Sequence, residues 1–222
     1  MTNWIERPSP NHGPRRVGPV DILLLHYTGM QSAEAALERL TDSATEVSCH
    51  WLIAEDGTLY RLVDEARRAW HAGTSFWAGE RDINSRSIGI ELVNPGHEFG
   101  YRPFPPAQMT ALASLAQAIL ARHPIPSHRV LGHSDVTPAR KQDPGEKFDW
   151  AWLAERGIGF WPPPAPGPES AGPAADLIRI GYENGDEATV TAFQRHWRQS
   201  RVDGKLDSET LRRIAQIAAY AQ

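Results

Sequence analysis

In the stretch LGHSDVTPARKQDPG a histidine and a carboxylate, His133 and Asp143, stand ten residues apart, with Lys141 two positions before the carboxylate. Imidazole nitrogen and carboxylate oxygen are both zinc ligands, but two ligands do not make a site. His26 is the candidate third. It closes the apolar run VDILLLHYT, where side chains at a strand end project into the crevice beside a sheet. The alternative for His26 is a core histidine bonded to a carbonyl. Three protein ligands leave a fourth position open, as hydrolytic zinc centres require. Glu91 is an acidic residue on a buried-looking strand, which is costly unless paired. It is either salt-bridged to one of the twenty arginines or a desolvated carboxylate beside the metal, raised towards the pKa of a general base. Lys141 is one of only three lysines, and a compact ammonium there can stabilise a developing oxyanion. The pattern is that of a metal hydrolase acting on an amide-type substrate.

The elements that must position these groups can be read in order. Residues 3–19 form an irregular lead-in, with His12 as a solvated loop histidine. The apolar run at 20–28 predicts a strand buried on both faces. Residues 32–42 predict a short helix with Ser32 as its cap. Residues 48–63 read as a hairpin around Asp56-Gly57, a favoured two-residue turn, with His50 on its first strand. AWHAG at 69–73 presents Trp70 and His71 in a small-residue loop, which either packs locally or offers aromatic faces to a sugar ring or peptide. Residues 84–94 predict a strand with Ile88, Ile90 and Leu92 on one face and Gly89, Glu91 and Val93 on the other. Residues 105–123 predict a helix opened by proline and stopped by Pro124. A short strand at 129–131 then delivers His133, and Pro138, Pro144 and Gly145 make the segment after it a structured loop. A last helix, 149–156, closes the first domain.

With 222 residues the chain has room for one sizeable core and a small module. The expected division is 1–160, a linker at 161–173, and a helical module at 174–222. Within residues 160–173, six of the fourteen are proline, the mark of a semi-rigid spacer. The tail shows three helical patterns, at about 175–180, 187–197 and 208–220. Its acidic residues 203–209 lack the central glycine of a calcium loop. Few contacts are expected to cross the linker, so the tail should be separable. A net charge of −4 gives no case for nucleic acid as partner, and no apolar run reaches membrane-spanning length. Cys49 is the single cysteine, so there is no internal disulfide. The polar, proline-broken start shows no signal peptide, so a cytoplasmic location is expected; a removed signal would instead imply the periplasm or cell envelope.

LLLHYT, SCHWLIAEDGTLYRLV, AWHAG, NSRSIGIELVN and LGHSDVTPARKQDPG, in this order, resemble the zinc-dependent N-acetylmuramoyl-L-alanine amidases of the type-2 amidase family over roughly residues 20–160. The resemblance implies an α/β fold, with a mixed central sheet flanked by helices, and Zn²⁺ held by His26, His133 and Asp143. It also implies cleavage between N-acetylmuramic acid, intact or 1,6-anhydro, and L-alanine in peptidoglycan or muropeptides. Glu91 and Lys141 match the family's catalytic glutamate and lysine. His50, Trp70, His71 and Asn84 are assigned to the substrate groove. The tail, with TVTAFQRHWR followed by VDGKLDSETL, looks like a peptidoglycan-binding three-helix module. Two other classes stay open: a zinc peptidase cutting within the stem peptide, and a non-catalytic peptidoglycan sensor.

Overall fold

The computed structural model describes residues 3–162 and 167–221; residues 163–166, inside the expected linker, lie outside them. At the centre is a mixed six-stranded sheet of order β1-β5-β4-β7-β3-β8. Its strands are β1 (Ile5–Glu6), β3 (Ile22–Tyr27), β4 (Trp51–Ile53), β5 (Leu59–Arg61), β7 (Ser87–Leu92) and β8 (Val130–Gly132). A separate ribbon pairs β2 (His12–Pro14) with β6 (Arg67–Ala69). β3 lies parallel to both β7 and β8 and is covered on both faces, so its sequence is apolar without alternation.

On one face Leu23, Leu25, Ile88 and Ile90 pack against Leu112, Leu115, Ala116 and Ile119 of α4 (Pro106–Arg122) and Leu153 of α6 (Trp150–Ala154). Buried Gln108 anchors α4 to the strand ends, donating to Ile53 O at 2.9 Å and Val93 O at 3.0 Å. On the other face two apolar clusters stand apart. Leu52 packs with α1 (Ala33–Thr41), whose N-cap is Ser32. Ile22, Leu24 and Leu131 pack with α7 (Pro173–Ile180), α8 (Glu187–Trp197) and α9 (Ser208–Tyr220). The strand register sets His26 beside Glu91, and Glu91 beside Leu52, on this same face. A polar strip therefore lies between two dry clusters.

Four sequence expectations change. The lead-in is not wholly irregular: β1 adds an edge strand beside β5, and His12 opens β2. The hairpin connection spans residues 54–58, since Ile53 pairs with Leu59; Asp56 Oδ1 accepts from Thr58 N at 2.9 Å and widens the turn. Residues 84–86 are helical, because the Asp82 side chain caps α2 (Ile83–Arg86) and the strand begins only at Ser87. Most consequentially, the tail does not stand apart. Phe193, Trp197, Ile214 and Ile217 are at most 1% exposed and share one core with Ile22, Leu24 and Leu131. The expectation of few contacts across the linker fails because the β3 face needs a cover.

Phe193→Ala should cost roughly 3–5 kcal/mol in denaturant unfolding, a core-cavity value, with the whole chain melting in one transition. A chain ending after Pro162 should melt at lower temperature than the full chain. An unchanged melting temperature in that truncation would restore the separable tail.

Candidate metal centre

Three lone-pair atoms meet at the end of β3. His26 Nδ1 lies 3.0 Å from His133 Nδ1, and each lies 3.1 Å from Asp143 Oδ2. All three residues are buried, and they form the one cluster of metal-ligand type found among the described residues. Each arrives on a different device. His26 is the fifth residue of β3. His133 opens a helical turn, α5 (His133–Val136), directly after β8. Asp143 comes at the end of the proline-stiffened segment, and its carbonyl accepts from Ser134 N at 2.9 Å, tying the second candidate ligand to the third.

The hydrogen bonds behind the rings decide which nitrogens are bare. His133 Nε2 lies 3.1 Å from Ala72 O; a carbonyl only accepts, so the ring proton is on Nε2 and Nδ1 carries a lone pair. His26 is settled through a relay. Ser87 donates its hydroxyl to Ile83 O at 2.6 Å, so its oxygen accepts from His71 Nε2 at 3.3 Å. His71 Nδ1 is then bare and accepts from His26 Nε2 at 3.1 Å. His26 Nδ1 is left without a proton. Two bare nitrogens and a carboxylate oxygen facing one another repel unless a cation sits among them. Ligand bonds of about 2.0–2.1 Å in tetrahedral geometry place ligand atoms roughly 3.3 Å apart, close to what is found. The residues fit a metal ion.

Electrostatics agree. Burial, then the neighbouring His133, pulls His26 down to about 4, so it stands neutral and ready to ligate. Glu91 is pushed up to about 8, first by burial and then by the charge of Asp143, with Lys141 opposing. Its Oε2 is buried without a hydrogen-bond partner, so the salt-bridge reading of Glu91 is not what the structure holds.

A cleft of about 850 Å³ opens over these groups, lined by Glu91, His133, Lys141, Asp143, Trp70 and His71. Two of the expected groove residues lie elsewhere. His50 is fully buried and spends both nitrogens on backbone, accepting from Gly89 N at 2.9 Å and donating to Arg67 O at 3.1 Å. Asn84 accepts from the backbone N–H groups of His71 and Ala72, each at 2.9 Å, and so sets the carbonyl that orients His133. His71 reaches the cleft but also backs His26. Gly89 makes that possible: a Cβ there would come within 2.5 Å of the His71 ring. The sequence reading passed over Tyr27, Arg39, His97 and Phe99, which also line the cleft. Tyr27 carried a signal, since it comes directly after the candidate ligand His26. Tyr27 Oη lies 2.9 Å from His97 Nδ1, and His97 stacks on Tyr101, whose hydroxyl donates to Pro144 O at 2.6 Å.

Residues 16–146 match the sequence profile of the family described as N-acetylmuramoyl-L-alanine amidase. The N-acetylmuramoyl-L-alanine amidase AmiD of Escherichia coli is 36% identical across 86% of this chain and 79% of its own length. A structure of that protein in complex with the substrate anhydro-N-acetylmuramic acid-L-Ala-D-gamma-Glu-L-Lys superposes with a TM-score of 0.80, covering 94% of this chain and 90% of that one. AmpDH3 from Pseudomonas aeruginosa, at 33% identity, gives a TM-score of 0.83 over 96% of this chain and 94% of its own.

The relay and the raised carboxyl can each be tested. Gly89→Ala should displace His71, leave the His26 Nε2 proton without its acceptor, and weaken metal binding by about 10–100-fold in chelator competition; unchanged affinity would refute the relay. In chelator-treated, metal-free protein Glu91 has a folded pKa of about 8 against an ordinary value of 4.5. The folded chain then holds that proton more tightly than the unfolded one, so this carboxyl lowers stability as pH rises through that window. Glu91→Gln should therefore melt higher than the parent near pH 8, with the gap closing by about pH 4. A gap of the same size at both pH values would show that Glu91 is not shifted upward.

Proposed function

We propose, for a chain that belongs to the N-acetylmuramoyl-L-alanine amidase family, hydrolysis of the amide between the lactyl group of N-acetylmuramic acid and L-alanine of the stem peptide. The substrate is peptidoglycan or a muropeptide, its muramic acid intact or 1,6-anhydro. The observation that carries this reading is the bare donor triad set beside two groups suited to proton transfer and oxyanion stabilisation, in one open cleft.

Zn²⁺ is the ion we assign to His26, His133 and Asp143, since two imidazoles and one carboxylate form a hydrolytic zinc donor set with an open position. Bound there, it would polarise the amide carbonyl and make a water acidic at neutral pH. The chain's own residues do the rest. Glu91 takes the proton of the attacking water: its raised pKa gives it the proton affinity a base needs near neutrality, and its Oε2 has no competing partner. The same carboxyl then returns the proton to the departing L-alanine nitrogen, which would otherwise leave as an amide anion. Lys141, exposed on the rim of the cleft, brings a positive charge to where the carbonyl oxygen becomes negative. Trp70 supplies a flat apolar face for sugar or peptide. Asn84 and His50 are support rather than groove: they hold backbone that holds the ligands.

Mass spectrometry of digested muropeptides tests the bond assignment. Free, full-length stem peptides are expected. Shortened stems would replace the amidase reading with a peptidase, and unchanged muropeptides would replace it with a sensor. Alanine at His26, His133 or Asp143 should remove both zinc and activity, and stoichiometric zinc in His133→Ala by elemental analysis would sink the ligand set. Lys141→Ala should keep its zinc while losing about 10²–10³-fold in kcat; near-normal turnover would reduce Lys141 to a surface charge.

A further inference from the structure

Asp135 lies two residues after His133 and eight before Asp143, and it is 1% exposed. A carboxylate that far from water must be met by donors. One donor is local: Gly132 N donates to Asp135 Oδ2 at 2.8 Å, which closes the turn that begins with His133. The other two come from the tail. Tyr182 donates its hydroxyl to Oδ1 at 2.6 Å, and His196 Nδ1 lies 2.7 Å from Oδ2. Both tail residues are themselves at most 2% exposed. His196 is clamped flat between aromatic rings, 3.8 Å from Trp150 and 3.7 Å from Trp197 by centroid. Burial, and then the Asp135 charge, hold the Tyr182 phenol well above its usual range, so it stays a donor. Further along, Gln199 donates to Phe148 O at 2.6 Å, on the far side of Asp143. The tail thus grips the ligand segment on both flanks.

We propose that Tyr182 and His196 are positioning residues for the metal centre: acting through Asp135, they fix the turn that aims His133 at the ion. This role rests on His133 being a ligand. Remove the tail's two donors and the Asp135 carboxylate keeps only the Gly132 N–H. It then turns towards water, and the Gly132 bond that closes the His133 turn goes with it. His133 Nε2 is held only by Ala72 O, so its ring follows the turn. The His196–Asp135 and Tyr182–Asp135 bonds are therefore connections with a function at the site, beyond the apolar packing that α8 shares with β3.

The test is zinc affinity of the full-length chain, measured by competition with a chelating dye, in Tyr182→Phe, His196→Leu, His196→Asn and Ile217→Val. Leucine and asparagine have nearly one shape, and both lose the ring stacking, so they differ in whether a donor faces Asp135. Ile217→Val trims the tail core away from Asp135 and controls for general loosening. Tyr182→Phe and His196→Leu should each lose about tenfold in zinc affinity, His196→Asn should recover most of it, and Ile217→Val should leave it unchanged. Equal affinity in Tyr182→Phe and the parent overturns the proposal, as does equal loss in His196→Leu and His196→Asn. A loss in Ile217→Val matching that in Tyr182→Phe also overturns it, since the tail would then act through bulk stability. Should His196→Leu not fold, Tyr182→Phe, which removes one oxygen atom, decides. A parent chain that binds no zinc overturns the metal assignment together with this proposal; unchanged affinity across the variants overturns this proposal alone.

Discussion

Three lone pairs aimed at one point are the constraint on which the rest of this structure depends. Two imidazole nitrogens and a carboxylate oxygen 3.0–3.1 Å apart would drift apart in a metal-free chain unless each were held from behind. Each is. The Ala72 and Ile83 carbonyls terminate two hydrogen-bond lines that leave both Nδ1 atoms bare. Those carbonyls in turn need fixed backbone: Asn84 holds residues 71 and 72, and the Asp82 cap holds the turn that carries Ile83. Even a missing methyl group belongs to the scheme, for Gly89 leaves the space in which His71 lies against β7. Preorganisation of this kind is built into the fold and felt at the site, since ligands already in place lose little freedom when a metal binds.

The sheet face explains why the cleft is where it is. Along β3 the residues facing one side run Ile22, Leu24, His26, from apolar to polar. The tail covers the first two, α1 covers Leu52 of β4 on the far side of β7, and neither covers the end. The gap between the two covers is the cleft. A tail that left this face would expose the apolar start of β3 and uncover Asp135 together. Stability and ligand geometry are therefore coupled through one set of contacts.

Much of this was legible in the sequence because chemistry is local. A histidine closing an apolar strand, or a carboxylate in a proline-stiffened loop, carries its signal within a few residues. Support is less local, and it was misplaced. His50 and Asn84 look like groove residues because they are polar, flanked by strand and aromatic signals, and near the motifs. Nothing in one sequence says that their partners are the Gly89, His71 and Ala72 backbone groups. β1 has two residues, both exposed, so it has no period to detect. The tail posed a different difficulty. Amphipathic spacing in α8 shows that a face is buried, not what buries it, and a proline-rich stretch before it suggested independence that the packing contradicts. Asp135 was the available clue: an acidic residue between two ligands has to be matched somewhere, and its matches proved to lie 47 and 61 residues away.

Glu91 shows how the two halves of the site constrain each other. Its carboxyl is buried beside the negative Asp143, and both effects favour the protonated form near neutral pH. A carboxylic acid in that state is no base. A divalent ion held by His26, His133 and Asp143 would reverse the balance, since its charge would outweigh that of Asp143 and stabilise the carboxylate. Metal binding should accordingly release the Glu91 proton, so that in the proposed reaction Glu91 would become a competent base when the water it is to deprotonate can be made acidic. The unpartnered Oε2 fits this arrangement. A salt bridge at that atom would have kept Glu91 ionised at every stage and lowered its proton affinity below what water activation requires. Lys141, close enough to act on the same carboxyl yet exposed, is placed so that it tempers the shift without cancelling it. Burial without a partner, a liability elsewhere in a protein, is here what makes the group responsive to the ion beside it.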